Sequence, residues 1–345
     1  MKLKNLVSIL LVIVMSGLLI YGYKLYNKTF VSNTSFSERE VYITIPTNST
    51  HEDIKKILTP YVKDFDQLDA VFQQVSFEQS YIPGRFLLKK GMSNYDLIQA
   101  LKYNVPVKLT FNNQETIEKL VSRISSQIEP DSIALMNVFL EPEFLEENNF
   151  TKEDVLSMFI PNTYEFYWNT TPLKVRNQMH KEYTRFWNEE RRTKAEKLGL
   201  TPTEVITLAS IVQKETAKVD ERPKVAGAYL NRLEKGMLLQ ADPTVVYSKK
   251  LLSNDFDQII KRVYLKDLKL DSPYNTYMYK DLPPGPIAMP DISSVDAVLN
   301  PEKHNYIFFC ASVERMGYHE FAENLAQHNV NRDKYSAWLD KNNIQ

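Results

Sequence analysis

The chain of 345 residues holds a single cysteine, Cys310. One cysteine excludes an internal disulfide and a thiolate metal cluster. Cys310 follows the apolar run Tyr306-Ile307-Phe308-Phe309. It reads as a buried, inert thiol, because nothing local would lower its pKa. An excess of charge of one sign is also missing. The formal net charge is −1, with 42 Lys+Arg against 43 Asp+Glu and no dense basic block. That balance lacks the footprint of a nucleic-acid binder. His304, His319 and His328 form no compact ligand motif, so neither a metal nor another cofactor is expected. The apolar amino-terminal run ends in tyrosine and lysine instead of a small-x-small cleavage site, which argues against a removed signal peptide.

What remains is a folded-protein balance: 43% hydrophobic and 25% charged residues, in a chain long enough for two or three domains. The 20 tyrosines suit either a core with polar handles or the walls of a sugar groove. Lys2 and Lys4 precede an uncharged stretch from Asn5 to Tyr23, and Lys24 and Lys28 follow it. Such a stretch nearly crosses a hydrocarbon layer of about 30 Å. Residues 1–26 are therefore expected to be a cytoplasmic tip and a transmembrane anchor, with the rest of the chain facing outward. Residues 27–37, rich in Ser, Thr and Asn, read as a tether.

Residues 38–111 read as a small α+β module. Val41 to Ile45 alternate as a strand, Thr50 and Asp53 form a capping signal before Ile54, Ile57 and Leu58, and Ser93 with Asp96 caps a second helix carrying Leu97, Ile98 and Leu101. Further strands are expected after Pro83-Gly84 and over 107–111. Residues 114–155 read as helical, with Ile117, Leu120, Val121, Ile124 and Ile128 as a stripe. The aromatic-rich stretch from Phe159 to Trp168 reads as a packed loop or as one wall of a groove.

The chemistry is expected on the helix that starts at Thr201-Pro202-Thr203-Glu204, where Thr201 caps, Pro202 fits the first turn and Glu204 closes a capping box. At about 100° per residue, Glu215 projects between Leu208 and Ile211, with Val212 beside it. A carboxylate on an apolar face is costly, and its pKa rises toward that of a general acid. The bland alternative is a helix-end glutamate paired with Arg222 or Arg232. Downstream lie a second helix ending near Asn231-Arg232 and Gly236, then Leu239-Gln240-Ala241-Asp242-Pro243-Thr244, Tyr274-Asn275-Thr276-Tyr277 and Leu282-Pro283-Pro284-Gly285-Pro286-Ile287. Uncharged amides and hydroxyls in rigid turns suit the recognition of sugar hydroxyls and N-acetyl groups.

These segments, with Ala209-Ser210-Ile211-Val212-Gln213-Lys214-Glu215-Thr216 and Asn231-Arg232-Leu233, resemble the MltG/YceG-like family of endolytic murein transglycosylases. The resemblance runs from the anchor to about residue 340. It implies an α+β protein with a single transmembrane helix, a LysM-like module over 38–111 and a lysozyme-like lytic transglycosylase domain over 112–345. It implies an inner-membrane location with the catalytic domain in the periplasm. The implied cut falls between N-acetylmuramic acid and N-acetylglucosamine of a nascent peptidoglycan strand and leaves a 1,6-anhydro end. Glu215 matches the family's catalytic glutamate, and Gln213 stands where the family usually has an acidic residue. Gln240 and Tyr274-Asn275 resemble the glutamine-bearing turn and tyrosine–asparagine loop of the wider lysozyme-like transglycosylases, and Asp242, Thr244, Thr276 and Tyr277 are expected beside them in the substrate-binding set, with a cap on the loop before Pro243 as the structural alternative for Asp242. Penicillin-binding proteins and the wall-synthesis machinery are the implied partners. A muramidase that uses water, with Asp242 as its second carboxylate, and a non-catalytic wall-binding scaffold are the rival readings.

Overall fold

The computed structural model describes residues 2–75 and 81–342, with side chains from residue 5 onward. Met1, residues 76–80 and 343–345, and the side chains of Lys2 and Lys4, lie outside the described residues although the expected domain spans include them. The chain is a mixed α+β protein that divides into two compact units. The first comprises residues 1–109, 127–130 and 164–170, and the second comprises 110–126, 131–163 and 171–345.

The first unit opens with α1 (Lys2–Phe30). Within it, Asn5–Phe30 forms one helix of 26 residues that is long and apolar enough to cross a membrane. At 1.5 Å per residue, 26 residues span about 39 Å, more than a hydrocarbon core needs. The expected tether at 27–37 is not a free linker. Its first residues continue α1, and Asn33 and Thr34 are buried. Asn33 donates to the backbone oxygen of Asp64 and to Asn94 Oδ1, each at 2.7 Å, and Asn94 donates to the backbone oxygen of Lys28 at 2.8 Å. Polar composition suggested solvent, but these amides satisfy buried backbone groups instead.

Beyond it come β1 (Glu40–Ile45), α2 (His51–Leu58), α3 (Phe65–Gln74), β2 (Gly84–Lys89) and α4 (Asn94–Ala100). β1 and β2 pair antiparallel, Ile43 opposite Phe86 and Val41 opposite Leu88. Their alternation turns Ile43, Ile45, Phe86 and Leu88 onto a core shared with Leu58, Leu68 and Leu97. Both expected capping boxes form, Thr50 with Asp53 and Ser93 with Asp96. The sequence reading missed α3, although Asp64 caps it and Leu68, Val71 and Phe72 give it a buried stripe. The strands β3 (Pro106–Phe111) and β4 (Asn162–Tyr167) form a second two-stranded sheet, and the chain passes between the units within them. The aromatic segment near Tyr164 is therefore a strand over much of its length, not a loop.

In the second unit, the expected helical stretch 114–155 breaks into α5 (Ile117–Ser125), α6 (Ser132–Phe139) and α7 (Pro142–Glu147). Pro130 and Pro142 punctuate it, because proline cannot donate to the preceding turn, and Asp131 caps the restart. Next come α8 (Pro172–Phe186), α9 (Glu189–Lys197), α10 (Pro202–Glu215), α11 (Arg222–Glu234), α12 (Asp242–Ser253) and α13 (Ile292–Leu299). The chain closes with the antiparallel pair β5 (Phe308–Ala311) and β6 (His319–Ala322), then α14 (Leu325–Lys341).

α10 is the axis of this unit. Every residue from Val205 to Val212 is buried, and α9, α11, α12 and α13 pack around it. A helix apolar on all sides is stable only when enclosed in this way. The capping box of Thr201 and Glu204 forms as the sequence predicts, with Pro202 in the first turn. The Pro-rich loop at 283–287 is fastened to α10, because Ile287 N donates to Ser210 Oγ at 3.0 Å. Gly285 is required in that loop: a Cβ there would lie 2.0 Å from the backbone oxygen of Glu153. Cys310 is half-buried on β5, less enclosed than expected, and burial raises its thiol pKa, with Glu320 adding to the effect.

Candidate active site

Glu215 is the last residue of α10, and the buried residues Leu208, Ile211 and Val212 flank it. α11 supplies the other side. Tyr229, fully buried, donates its hydroxyl to Glu215 Oε2 at 3.0 Å. Glu215 is enclosed by protein on most sides, yet it keeps an accessible face in a cleft of about 490 Å³ that lies within the second unit. Enclosure raises the carboxyl pKa first. His319 opposes that rise, as does the Tyr229 hydrogen bond, while Asp242 adds to it and Arg232 opposes it more weakly. The net direction is upward. The same enclosure, with Glu215 beside it, pushes the Tyr229 phenol well above its ordinary value, so Tyr229 remains a donor.

The bland alternative for Glu215 does not hold. Arg222 bonds Ser293 Oγ at 2.7 Å and lies 3.7 Å from Asp291. Arg232 is buried and spends its guanidinium on the backbone oxygens of Ile307 and Leu239, at 2.5 and 2.6 Å. Glu215 has no ion pair among the described residues. A protonatable carboxyl without a cation, held by a neutral donor, is an arrangement fit for proton transfer.

His319 belongs to a partly buried pair that sequence reasoning did not find. Its Nδ1 lies 2.9 Å from Glu221 Oε2, and its backbone nitrogen donates to Glu221 Oε1 at 2.7 Å. Thr216, which caps the carboxyl end of α10, donates its hydroxyl to the same glutamate at 2.8 Å. The end of the helix that carries Glu215 is thereby tied to β6. The pairing joins positions 98 residues apart, which periodicity cannot reveal. Tyr229 carried a signal, an apolar helix position occupied by a residue with a polar tip, but its partner was not legible. His304 receives Tyr306 N on Nδ1 and lies 2.9 Å from the backbone oxygen of Lys224, and His328 stacks on Phe308.

The other expected site residues divide. Asp242 opens α12, is exposed and lines the cleft with Glu215. It accepts the Tyr277 hydroxyl at 2.7 Å. Gln240 is exposed at φ +50°, its backbone nitrogen donates to the oxygen of Thr276, and its side chain takes no partner among the described residues. Thr244, Asn275 and Thr276 are buried, so their side chains shape the turn. The hydroxyls of Thr244 and Thr276 meet at 2.8 Å, and Thr276 also receives Ala241 N. Asn275 donates to the backbone oxygens of Leu268 and Leu270 and accepts from Tyr277 N, which occupies its whole amide. Tyr274 is buried against Tyr247, with ring centroids 4.7 Å apart. Gln213 faces away from the cleft chemistry and receives Asp291 N and Ser294 Oγ at the start of α13. A larger cavity, of about 1220 Å³, lies beside the opposite end of α10 near Thr201, Gly227 and Asn231, and Glu215 does not line it.

The fold and the cleft thus define a class: an α+β protein with one amino-terminal apolar helix and, in the second unit, a cleft lined by an enclosed carboxyl of raised pKa. The chain belongs to the YceG-like family, whose model matches residues 43–334. A Bacillus subtilis (strain 168) protein named endolytic murein transglycosylase is 28% identical over 339 residues, covering 92% of this chain and 91% of the relative. A Streptococcus pneumoniae protein of the same name is 34% identical over 133 residues, 39% of this chain and 24% of that protein. The crystal structure of a yceG-like protein from Listeria monocytogenes shares the fold with a TM-score of 0.56, covering 85% of this chain and 99% of that chain at 24% identity.

Proposed function

We propose that the chain is an endolytic peptidoglycan lytic transglycosylase with Glu215 as its acid and base. The observation that carries the proposal is a single carboxyl with a raised pKa, open to a cleft and bonded by Tyr229. Glu215 gives its proton to the glycosidic oxygen as the bond to C1 of N-acetylmuramic acid breaks. The C6 hydroxyl of the same sugar then attacks C1 and returns its proton to the Glu215 carboxylate. No water is consumed, and the attack gains from enforced proximity. One carboxylate acting twice departs from the paired-carboxylate scheme of most glycosidases. Tyr229 orients the carboxyl, and Gln240, Asp242 and Tyr277 are the remaining substrate-facing candidates.

The same reading treats the βααβ order of β1, α2, α3 and β2 as a LysM-like wall-binding module and the second unit as a lysozyme-like catalytic domain. It places α1 across the membrane, with the rest of the first unit and the second unit outside, near penicillin-binding proteins and nascent strands. The test is incubation of the full chain with uncrosslinked glycan strands, followed by mass analysis of the released ends. Anhydro ends absent from Glu215→Gln reactions support the proposal. Ends heavier by one water indicate a hydrolase, the outcome favoured if Asp242, which shares the cleft, activates water. No cleavage at all indicates a binding protein.

A further inference from the structure

The cleft that holds Glu215 has a wall whose charge the proton transfer does not use. Four cations line it: Lys214, Lys250, Lys261 and Arg262. Lys214 and Lys250 share one carboxylate, Glu115, with each bond at 2.7 Å. Burial alone would raise the Glu115 pKa, but the two lysines outweigh burial and hold it low. Glu115 is therefore an anion fully committed to them. Lys261 and Arg262 are different. Both are exposed, neither has a carboxylate partner among the described residues, and the Arg262 guanidinium lies 5.8 Å from the centroid of the Tyr264 ring. They sit on the irregular segment between α12 and Asp267. That segment is pinned at its start, where Lys119 bonds the backbone oxygen of Phe256 and the carboxylate of Asp257. Ile260 and Val263, on either side of them, also line the cleft. Two uncommitted cations on the rim of a half-enclosed groove focus an attractive field on an anionic ligand.

We infer that Lys261 and Arg262 form a carboxylate-recognition subsite that selects glycans whose muramyl residues carry negative charge. This rests on the function proposed above. A glycan backbone is neutral, so the charge must come from the lactyl arm or from a peptide attached to it. The shared chemistry is a carboxylate close to the sugar ring. Arginine can hold it in two parallel hydrogen bonds, and lysine adds a point charge. Because Glu215 has no ion pair, a subsite on the rim supplies binding without neutralising the proton donor.

The test uses the full chain in detergent micelles and three substrates: strands with peptide stems, strands stripped to the lactyl carboxylate, and strands whose carboxyls have been amidated. Both variant positions are exposed, so the double substitution K261Q/R262Q should fold. Wild-type protein should cut the charged strands with a kcat/KM about tenfold above that for amidated strands. The preference should shrink as salt rises. K261Q/R262Q should lose the preference through KM, with kcat retained. Preference for stemmed over stripped strands identifies the peptide as the source, and preference for stripped strands identifies the lactyl carboxylate, which stemmed strands lock in an amide bond. Binding of the same strands to E215Q, with and without K261Q/R262Q, is measured independently of cutting. If E215Q binds charged and amidated strands equally, or K261Q/R262Q leaves the discrimination unchanged, the inference is overturned even where cleavage is normal. Absence of cleavage by wild-type protein together with charge-selective binding overturns the proposed reaction and leaves the subsite standing.

Discussion

Two glutamates sit eleven positions apart on α10, at nearly the same angle around its axis, and their fates are opposite. Glu204 is at the amino end. Its carboxylate receives Thr201 N at 2.7 Å and Thr201 Oγ1 at 2.9 Å, closing the capping box. Free backbone N–H groups and the positive end of the helix dipole favour an anion there. Glu215 is at the carboxyl end, where the dipole and the exposed carbonyls disfavour negative charge. It is enclosed, has no ion pair among the described residues and receives one phenol. One helix thus holds the same side chain as a capping anion at one end and, at the other, as an enclosed carboxyl whose pKa is raised. Position along the helix and enclosure, more than residue type, divide the two roles.

Several measurements would break or sharpen that contrast. The largest effect is expected from exchanging each glutamate for glutamine. E215Q should lower transglycosylation by about 10²- to 10⁴-fold with the fold intact, while E204Q retains activity. Equal losses in both variants would end the distinction. Y229F should reduce kcat about tenfold, because a hydrogen bond to the ionised carboxyl is lost. It should also move the pH profile. Glu215 must be protonated to act first, so activity falls as pH rises through its folded pKa. Tyr229 lowers that pKa, so in Y229F the fall should shift to higher pH. An unchanged profile would remove Tyr229 from the site.

A smaller effect concerns stability. A carboxyl whose folded pKa is raised binds its proton more tightly when folded. Its stabilising contribution is present below the ordinary carboxylate value and is lost as pH climbs from that value through the raised one. E215Q removes this loss, so at neutral pH it should resist chemical denaturation more than wild type, with the two converging in acid. The smallest effect belongs to the other end of α10. T201A should cost about 1 kcal/mol in chemical denaturation and leave the pH profile untouched.

The same contrast explains what was legible beforehand. The capping box at Thr201, those at Thr50 and Ser93, and the phase that puts Glu215 on an apolar face are local, and short-range spacing encodes them. The features that enclose Glu215 and supply its one hydrogen-bond donor are not local. Tyr229 is 14 residues away, and the pairing of Glu221 with His319 spans 98. Those contacts depend on how α10, α11 and β6 pack. Composition misled at 27–37, a stretch that signalled a solvated linker, because Asn33 is buried against Asp64 and Asn94. It misled again at Asn275 and Thr276, whose groups suited a sugar but are consumed in holding the turn. A polar side chain states what it can bond, and only the fold states whether the partner is a ligand or the chain itself.

The Asn33 and Asn94 amides have a mechanical consequence. Because they clamp the end of α1 to the rest of the first unit, there is no slack between a helix long and apolar enough to cross a membrane and the module it carries. Rotation or tilt of the helix would pass directly into that module, as a shaft turns a collar. A glycine-serine insertion after Phe30 would uncouple the two, converting a fixed stand-off from the bilayer into a swinging one.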